Sequence, residues 1–307
     1  MAILINKETR VMLQGITGKM GTMHAQYLLE YGVNLVAGIS PGKGGTAVHG
    51  VPVYNTVPEA LEHTPIDATL ILVPQLVVKD SAIEAIESGI PLLVVITEHV
   101  PIHDTAYIKQ RACECGVRVV GPNTIGVISP GKTKVGIMPG SIYSEGPVGV
   151  VARSGTLTHD IGATLTGMGI GQTTCIGIGG DPIRGMDFID VLREFALDDE
   201  TKVVVMVGEI GGNGEEQAAK YLENGYPKPV VAFIAGQTAP TGKRMGHAGA
   251  IISGEGGSAA SKYAALAKAN VKITKTFNEM IAAVREVLSM EPELAKQLVG
   301  KKHAACN

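Results

Sequence analysis

Short apolar runs of strand length alternate with amphipathic stretches of helical length along almost the whole chain, and this alternation constrains the fold more than any other feature. Runs of Val and Ile with no polar alternation need cover on both faces, which is the condition of strands in a parallel sheet flanked by helices. The pattern predicts strands over residues 10–14, 34–39, 68–73, 92–96 and 118–120, with helices over 22–31, 57–62, 77–88 and 104–115. A Gly/Pro-rich passage over 129–147 reads as a linker. Alternation then restarts, with strands over 148–152, 173–178, 202–207, 230–234 and 271–273 and helices over 156–168, 187–197, 214–223, 259–268 and 277–288. Two successive doubly wound α/β domains follow, over 1–146 and 147–288, with 289–307 as a peripheral C-terminal tail. A length of 307 residues suits this division, given ~100–200 residues per domain.

Composition narrows the function. A formal net charge of -3, no Trp and only four Phe offer nothing that a nucleic-acid surface needs. No apolar run approaches the ~18 residues that span a bilayer, and the start MAILINKETR lacks the charged and apolar regions of a secretory signal, so no membrane role is expected. The expected setting is the cytoplasm, or the mitochondrial matrix for a mature eukaryotic form. Cys113, Cys115, Cys175 and Cys306 are too few and too irregular for a disulfide framework or a zinc site. Reduced thiols are expected, and no metal site in this chain.

The first strand runs into Gly15-Ile16-Thr17-Gly18-Lys19-Met20-Gly21, where a strand becomes a helix. Such a turn offers backbone N–H groups at a helix N-terminus to a pyrophosphate. Its glycines fall at i, i+3 and i+6, whereas the dinucleotide fingerprint has i, i+2 and i+5 and expects an acidic ribose ligand about 20 residues on. Ser40-Pro41-Gly42-Lys43-Gly44-Gly45 stands there instead. A lysine among glycines suits a further phosphate, which favours coenzyme A over NAD. The alternative is a pair of helix-packing turns with an exposed lysine.

The second half carries Lys243-Arg244-Met245-Gly246-His247-Ala248-Gly249-Ala250, a glycine-flanked histidine beyond the carboxyl end of a strand. Neutral imidazole is a nucleophile near pH 7, so His247 is a candidate phosphoryl carrier, with a packing histidine as the other reading. Glu209, in Gly208-Glu209-Ile210-Gly211-Gly212 at another strand end, is the natural partner to hold one ring nitrogen and leave the other free to attack phosphorus. Arg153-Ser154-Gly155-Thr156 opens a helix with two hydroxyls and a glycine. That arrangement caps a helix and can cradle phosphate.

Together the motifs GITGKMG, PGKGG, ITE, GPN, RSGTLT, GIGGDP, GEIGG and GKRMGHAGAI show that the chain resembles the α subunits of succinyl-CoA synthetase (succinate–CoA ligase) over about residues 1–288. The resemblance implies an α/β fold with an N-terminal Rossmann-like CoA-binding domain followed by a flavodoxin-like ligase domain. It implies CoA contacts at Thr17, Gly18, Lys19, Met20, Lys43, Ile96, Thr97 and Glu98, a phosphohistidine at His247 oriented by Glu209, and a phosphate-holding helix start at Ser154, Gly155 and Thr156. It further implies a separate β subunit of ATP-grasp fold that holds ATP or GTP with Mg²⁺, in an αβ or α2β2 assembly acting on CoA, phosphate and a small dicarboxylic acid. The usual family pattern is departed from at four places: His159-Asp160 for Tyr-Glu, Thr124-Ile125 for Cys-Pro, His99 for glycine and Arg184 for proline. The first of these makes His159 a candidate substrate contact. Ligases for malate or citrate, a non-catalytic CoA-binding module and an NAD-dependent oxidoreductase are the rival readings.

Overall fold

A computed structural model describes residues 2–252 and 256–304. The first apolar runs form β1 (Val11–Gln14), followed by α1 (Lys19–Glu30), β2 (Leu35–Ile39), β3 (Ala47–Val48), β4 (Val51–Tyr54), α2 (Val57–His63), β5 (Ala68–Ile71), α3 (Val78–Glu87), β6 (Leu92–Val95), α4 (Ile102–Cys115) and β7 (Arg118–Val120). They build one sheet in the order β3-β4-β2-β1-β5-β6-β7, parallel except at the β3–β4 hairpin. β1, β5 and β6 are buried at every residue, which is why their sequences show no polar alternation. From β1 the chain moves outward first to β2 and later, on the other side, to β5. That reversal opens a crevice at the carboxyl ends of β1 and β5, where open α/β sheets bind ligands.

The second half continues with β8 (Gly126–Ser129), β9 (Thr133–Gly136), β10 (Glu145–Ala152), α5 (Gly155–Gly167), β11 (Gln172–Gly177), α6 (Phe188–Leu197), β12 (Val203–Glu209), α7 (Gly214–Leu222), β13 (Val230–Ala235), α8 (Ala259–Lys268), β14 (Lys272–Thr274) and α9 (Phe277–Ala304). The second sheet has the order β14-β13-β12-β10-β11-β8-β9. Its β10, β11, β12, β13 and β14 pair in parallel, and β8 joins β11 antiparallel.

Two expectations need correction. The passage over 129–147 is no linker, because β8 and β9 form a hairpin in the second sheet although the sequence pattern places residues 126–128 in the first domain. Glycine misleads here: a Cβ on Gly126 would lie 2.2 Å from the carbonyl oxygen of Val135, so the residue that looks like a loop former is what lets two strands approach. Val127 and Val135 of this hairpin share one continuous apolar core with Leu70, Leu92 and Val94 of the first sheet. Nor does the last helix end at residue 288, since α9 runs unbroken to Ala304 on residues that are mostly good helix formers. Residues 305–307, and Cys306 with them, lie outside the described residues. Among the described residues, no helix is long and apolar enough to cross a membrane.

Candidate active site

The residues expected to meet CoA gather along the carboxyl edge of the first sheet. Gly15 takes φ +82° and a Cβ there would lie 2.5 Å from the carbonyl oxygen of Leu72, while a Cβ on Gly21 would lie 2.0 Å from the carbonyl oxygen of Gly15. Glycine at both positions lets the turn fold tightly against β5 and α1. Gly18 is the N-cap of α1 and offers no side-chain cap, so N–H groups of the first turn stay open beside exposed Thr17, Lys19 and Met20. The helix starts at Lys19, three residues before its apolar pattern becomes visible, which puts the expected contacts on a helix N-terminus.

Thr17 Oγ1 meets Ser40 Oγ at 2.8 Å, tying this turn to the loop after β2. The Asn55 side chain accepts from the N–H groups of Gly42 and Gly44 at 2.9 and 3.1 Å, which fixes the loop carrying exposed Lys43. Next along the edge, Thr97 donates from Oγ1 to the Val73 carbonyl at 2.7 Å, and the Ile96 N–H donates to the Ile71 carbonyl at 3.2 Å. Glu98 is exposed beside His99. His99 adopts φ +62°, in the left-handed region that favours glycine. That backbone geometry accounts for the glycine usual there in the resembling family.

His247 lies on the long segment between β13 and α8. Its ring packs over Gly180, where a Cβ would come within 2.4 Å of the imidazole Cγ. Gly246 turns the chain at φ +80°, and the Gly249 N–H donates to the Gly180 carbonyl at 3.2 Å. His247 Nδ1 and Glu209 Oε2 are 2.8 Å apart. Glu209 is 6% exposed at the last position of β12, whereas the His247 side chain keeps 27% of its surface. The other carboxylate oxygen, Oε1, faces Arg153 Nη2 at 3.2 Å. The hydrogen bond to Glu209 holds the imidazole above its ordinary pKa, and the Glu209 and Asp181 charges add to this. Burial and Arg153 act against it. With the Glu209 carboxylate ionised, neutral His247 places its proton on Nδ1 and its lone pair on Nε2.

Ser154 caps α5 by accepting from the Leu157 N–H at 3.4 Å, directly after Arg153. Ile125 covers part of this helix start, since a Cβ on Gly155 would lie 2.5 Å from Ile125 Cγ2. His159, the expected substrate contact, follows within the first turns of α5. Its ring stands edge-on to Tyr143, with centroids 6.3 Å apart, and burial lowers its pKa. No described contact joins it to His247, Glu209 or Arg153. Cys113 and Cys115 are exposed, Cys175 is buried, all three are free, and the described residues contain no cluster able to hold a metal.

Residues 6–99 match the CoA binding domain family and residues 151–272 the CoA-ligase family. The chain is 50% identical to succinate–CoA ligase [ADP-forming] subunit alpha 1 of Archaeoglobus fulgidus, over 94% of this chain and 98% of that one. It is 49% identical to the Aquifex aeolicus alpha subunit, over 95% and 98%, and 51% identical to a Staphylococcus aureus one, over 91% and 93%. The chain belongs to the family of succinate–CoA ligase α subunits. Among solved structures, ATP citrate lyase of Methanosaeta concilii in complex with (3S)-citryl-CoA shares the fold, with a TM-score of 0.88 at 24% identity over 94% of this chain. A dinucleotide-forming acetyl-coenzyme A synthetase of Ca. Korarchaeum cryptofilum has a TM-score of 0.71 at 22% identity over 88%. The present chain spans 51% of the first of these larger chains and 58% of the second.

In this CoA ligase the structure also assembles residues to which sequence reasoning assigned no role. Asn123, of the GPN motif, donates its backbone N–H to the Thr97 carbonyl at 3.0 Å and accepts at its own carbonyl from the Gly180 N–H at 3.3 Å. Its Nδ2 donates to Asp181 Oδ1 at 2.9 Å. One residue thus connects the carboxyl edge of the first sheet to the glycine under the His247 ring. Thr124 is buried and donates to the Gly177 carbonyl, locking the same crossing. A cleft of about 720 Å³ opens beside the histidine loop, with Arg153, Arg184, Gly212 and Gly249 among its walls. The motifs GPN and GIGGDP were visible as strings, but their meeting depends on the contact between the two sheets.

Proposed function

We propose that this chain is the α subunit of a succinate–CoA ligase and that it carries the phosphoryl group on His247. The observation that carries the reading is the 2.8 Å contact of His247 Nδ1 with the buried Glu209 carboxylate, in a chain about 50% identical over nearly its full length to ligases of that name. In the thioester-consuming direction, phosphate attacks the succinyl-CoA carbonyl, the C–S bond breaks and CoA leaves as the thiol. The Nε2 lone pair of His247 then attacks phosphorus in succinyl phosphate, and the P–O bond to the acyl group breaks to release succinate. The phosphoryl group finally passes to ADP or GDP. Glu209 accepts the hydrogen bond from Nδ1–H throughout, and the open N–H groups at the start of α5, from Ser154 to Thr156, take phosphate charge. Thr17, Gly18, Lys19, Met20, Lys43, Ile96, Thr97 and Glu98 are assigned to CoA. The nucleotide, with Mg²⁺, is assigned to a β subunit of ATP-grasp fold in αβ or α2β2 assembly, in the cytoplasm.

The chain purified with its β subunit should form succinyl-CoA from succinate, CoA and ATP or GTP, with a kcat/KM for succinate above those for malate and citrate, since specificity lies in that ratio. Activity confined to malate or citrate would overturn the succinate assignment. Lys43→Glu reverses a charge next to several anionic oxygens, so CoA affinity should fall at least about tenfold at low ionic strength and the deficit should shrink as salt screens it. Calorimetric CoA affinity equal to wild type would remove Lys43 from the site.

A further inference from the structure

Beneath the His247–Glu209 pair lies a second pair that the mechanism above does not use. Glu215, in the first turn of α7, and Lys262, in α8, are both 0% exposed and form a close ion pair. Glu215 Oε1 accepts from the Glu209 backbone N–H at 3.1 Å and lies 3.5 Å from Arg153 Nη1. Lys262 Nζ donates to the carbonyls of Glu209 and Gly211, both at 2.8 Å, and Arg153 Nη1 donates to the same Gly211 carbonyl at 2.9 Å. The N–H and carbonyl of Glu209, and the carbonyl of Gly211 two residues on, are therefore each held by a buried charged side chain.

The cluster holds two carboxylates and two cations almost out of water. Stability does not demand it, because ionised groups are costly to bury and packed apolar residues of similar volume serve stability as well or better. Its geometry serves Glu209 instead. Arg153 bridges the two carboxylates, so Glu215 and Lys262 together set both where the Glu209 backbone lies and how much of the Arg153 charge falls on the Glu209–His247 pair. Gly208 shows how closely the side chain is fitted, since a Cβ there would lie 2.6 Å from Glu215 Cγ and Oε1.

We propose that Glu215 and Lys262 are positioning residues for the phosphoryl carrier, holding the Glu209 carboxylate at His247 Nδ1 from behind. The proposal rests on His247 being that carrier. The charged groups facing His247 are Glu209 from β12, Arg153 from the junction of β10 and α5, and Asp181 from the loop after β11. Those facing Lys262 are Glu215, Glu216 and Arg153. A balanced variant, Lys262→Met with Glu215→Gln, removes one charge of each sign and leaves no unpaired ion. Gly208→Ala is the second variant. Its φ is open to alanine, and its methyl displaces the Glu215 side chain and the Ile234 side-chain end, 2.8 Å from that Cβ, without deleting any charge.

Two readouts in the complex with the β subunit separate the outcomes. The first is single-turnover phosphorylation of His247 from nucleotide; the second is the pH dependence of diethyl pyrocarbonate acylation of the His247 peptide, which follows neutral imidazole whether or not the enzyme turns over. Both variants should fold and bind CoA as wild type does, yet phosphorylate roughly 10–100-fold more slowly, as for loss of groups that orient a reacting side chain. The acylation midpoint of His247 should move down, because Arg153, freed from Glu215, weighs more on the imidazole. Wild-type rates and midpoints in both variants would overturn the positioning role. A wild-type complex that takes no label on His247 would instead overturn the carrier reading.

Discussion

Replacing His247 by asparagine is expected to abolish labelling of this chain by the γ-phosphoryl group of ATP or GTP and to reduce turnover by roughly 10⁴-fold or more, as for loss of a covalent nucleophile. The asparagine amide still reaches Glu209 as a donor but has no lone pair where Nε2 stood. The loop position, partly open to solvent, lets the substitution leave the fold and CoA binding untouched, so the loss reads on chemistry. The wild-type label should be acid-labile and base-stable and should map to the peptide containing His247. A label of that character persisting in His247→Asn would place the carrier elsewhere.

Glu209→Gln is expected to cost roughly 10²–10⁴-fold in phosphoryl transfer, the range for removing a carboxylate that fixes a catalytic imidazole. Shape is nearly kept, but the neutral amide no longer demands the proton on Nδ1, so the reactive tautomer loses its preference. The pH profile gives a second, independent reading. Glu209 raises the His247 pKa above its ordinary value, and the attacking form is the neutral ring, so the wild-type rate should climb with pH through a midpoint above about 6.5. In the variant the main cause of the rise is gone while burial and Arg153 still press downward, so the midpoint should fall below the wild-type one. The linkage has the matching sign. A folded-state pKa above the unfolded one means that protonated His247 favours the fold at low pH, and that this contribution disappears as pH rises through the folded-state value. Thermal melting across pH should therefore show Glu209→Gln losing stability relative to wild type most in the acid range. An unchanged midpoint would mean that the 2.8 Å contact does not govern the imidazole.

Much of the fold is legible in local sequence because burial on both faces of a parallel strand leaves a mark in every residue, as in the seven buried positions of β12. The glycine spacing of Gly15, Gly18 and Gly21 announces a strand-to-helix turn, and each glycine is then explained by a contact or an uncapped helix start that it permits. His247 stands out for a similar reason, since glycines around a single imidazole are a local signal. His159 shows the limit of such signals. Its place in a motif suggests a role, but the Tyr143 ring against which it stands comes from a residue that the motif does not contain.

What the sequence by itself determined is the succession of two α/β units, the phosphate-favouring turn, the lysine loop and the reachable histidine, all of them patterns that neighbouring residues write together. The tertiary structure alone decided that residues 126–136 complete the second sheet, that Asn123 joins Thr97 to Gly180, and that Arg153, Glu215 and Lys262 converge on the end of β12. These last residues come from different elements, and each alone reads as an ordinary polar position on a helix or turn. Burying such charged side chains is tolerable only because opposite charges meet there, and that meeting depends on how helices α5, α7 and α8 pack around one strand end, which no local pattern records.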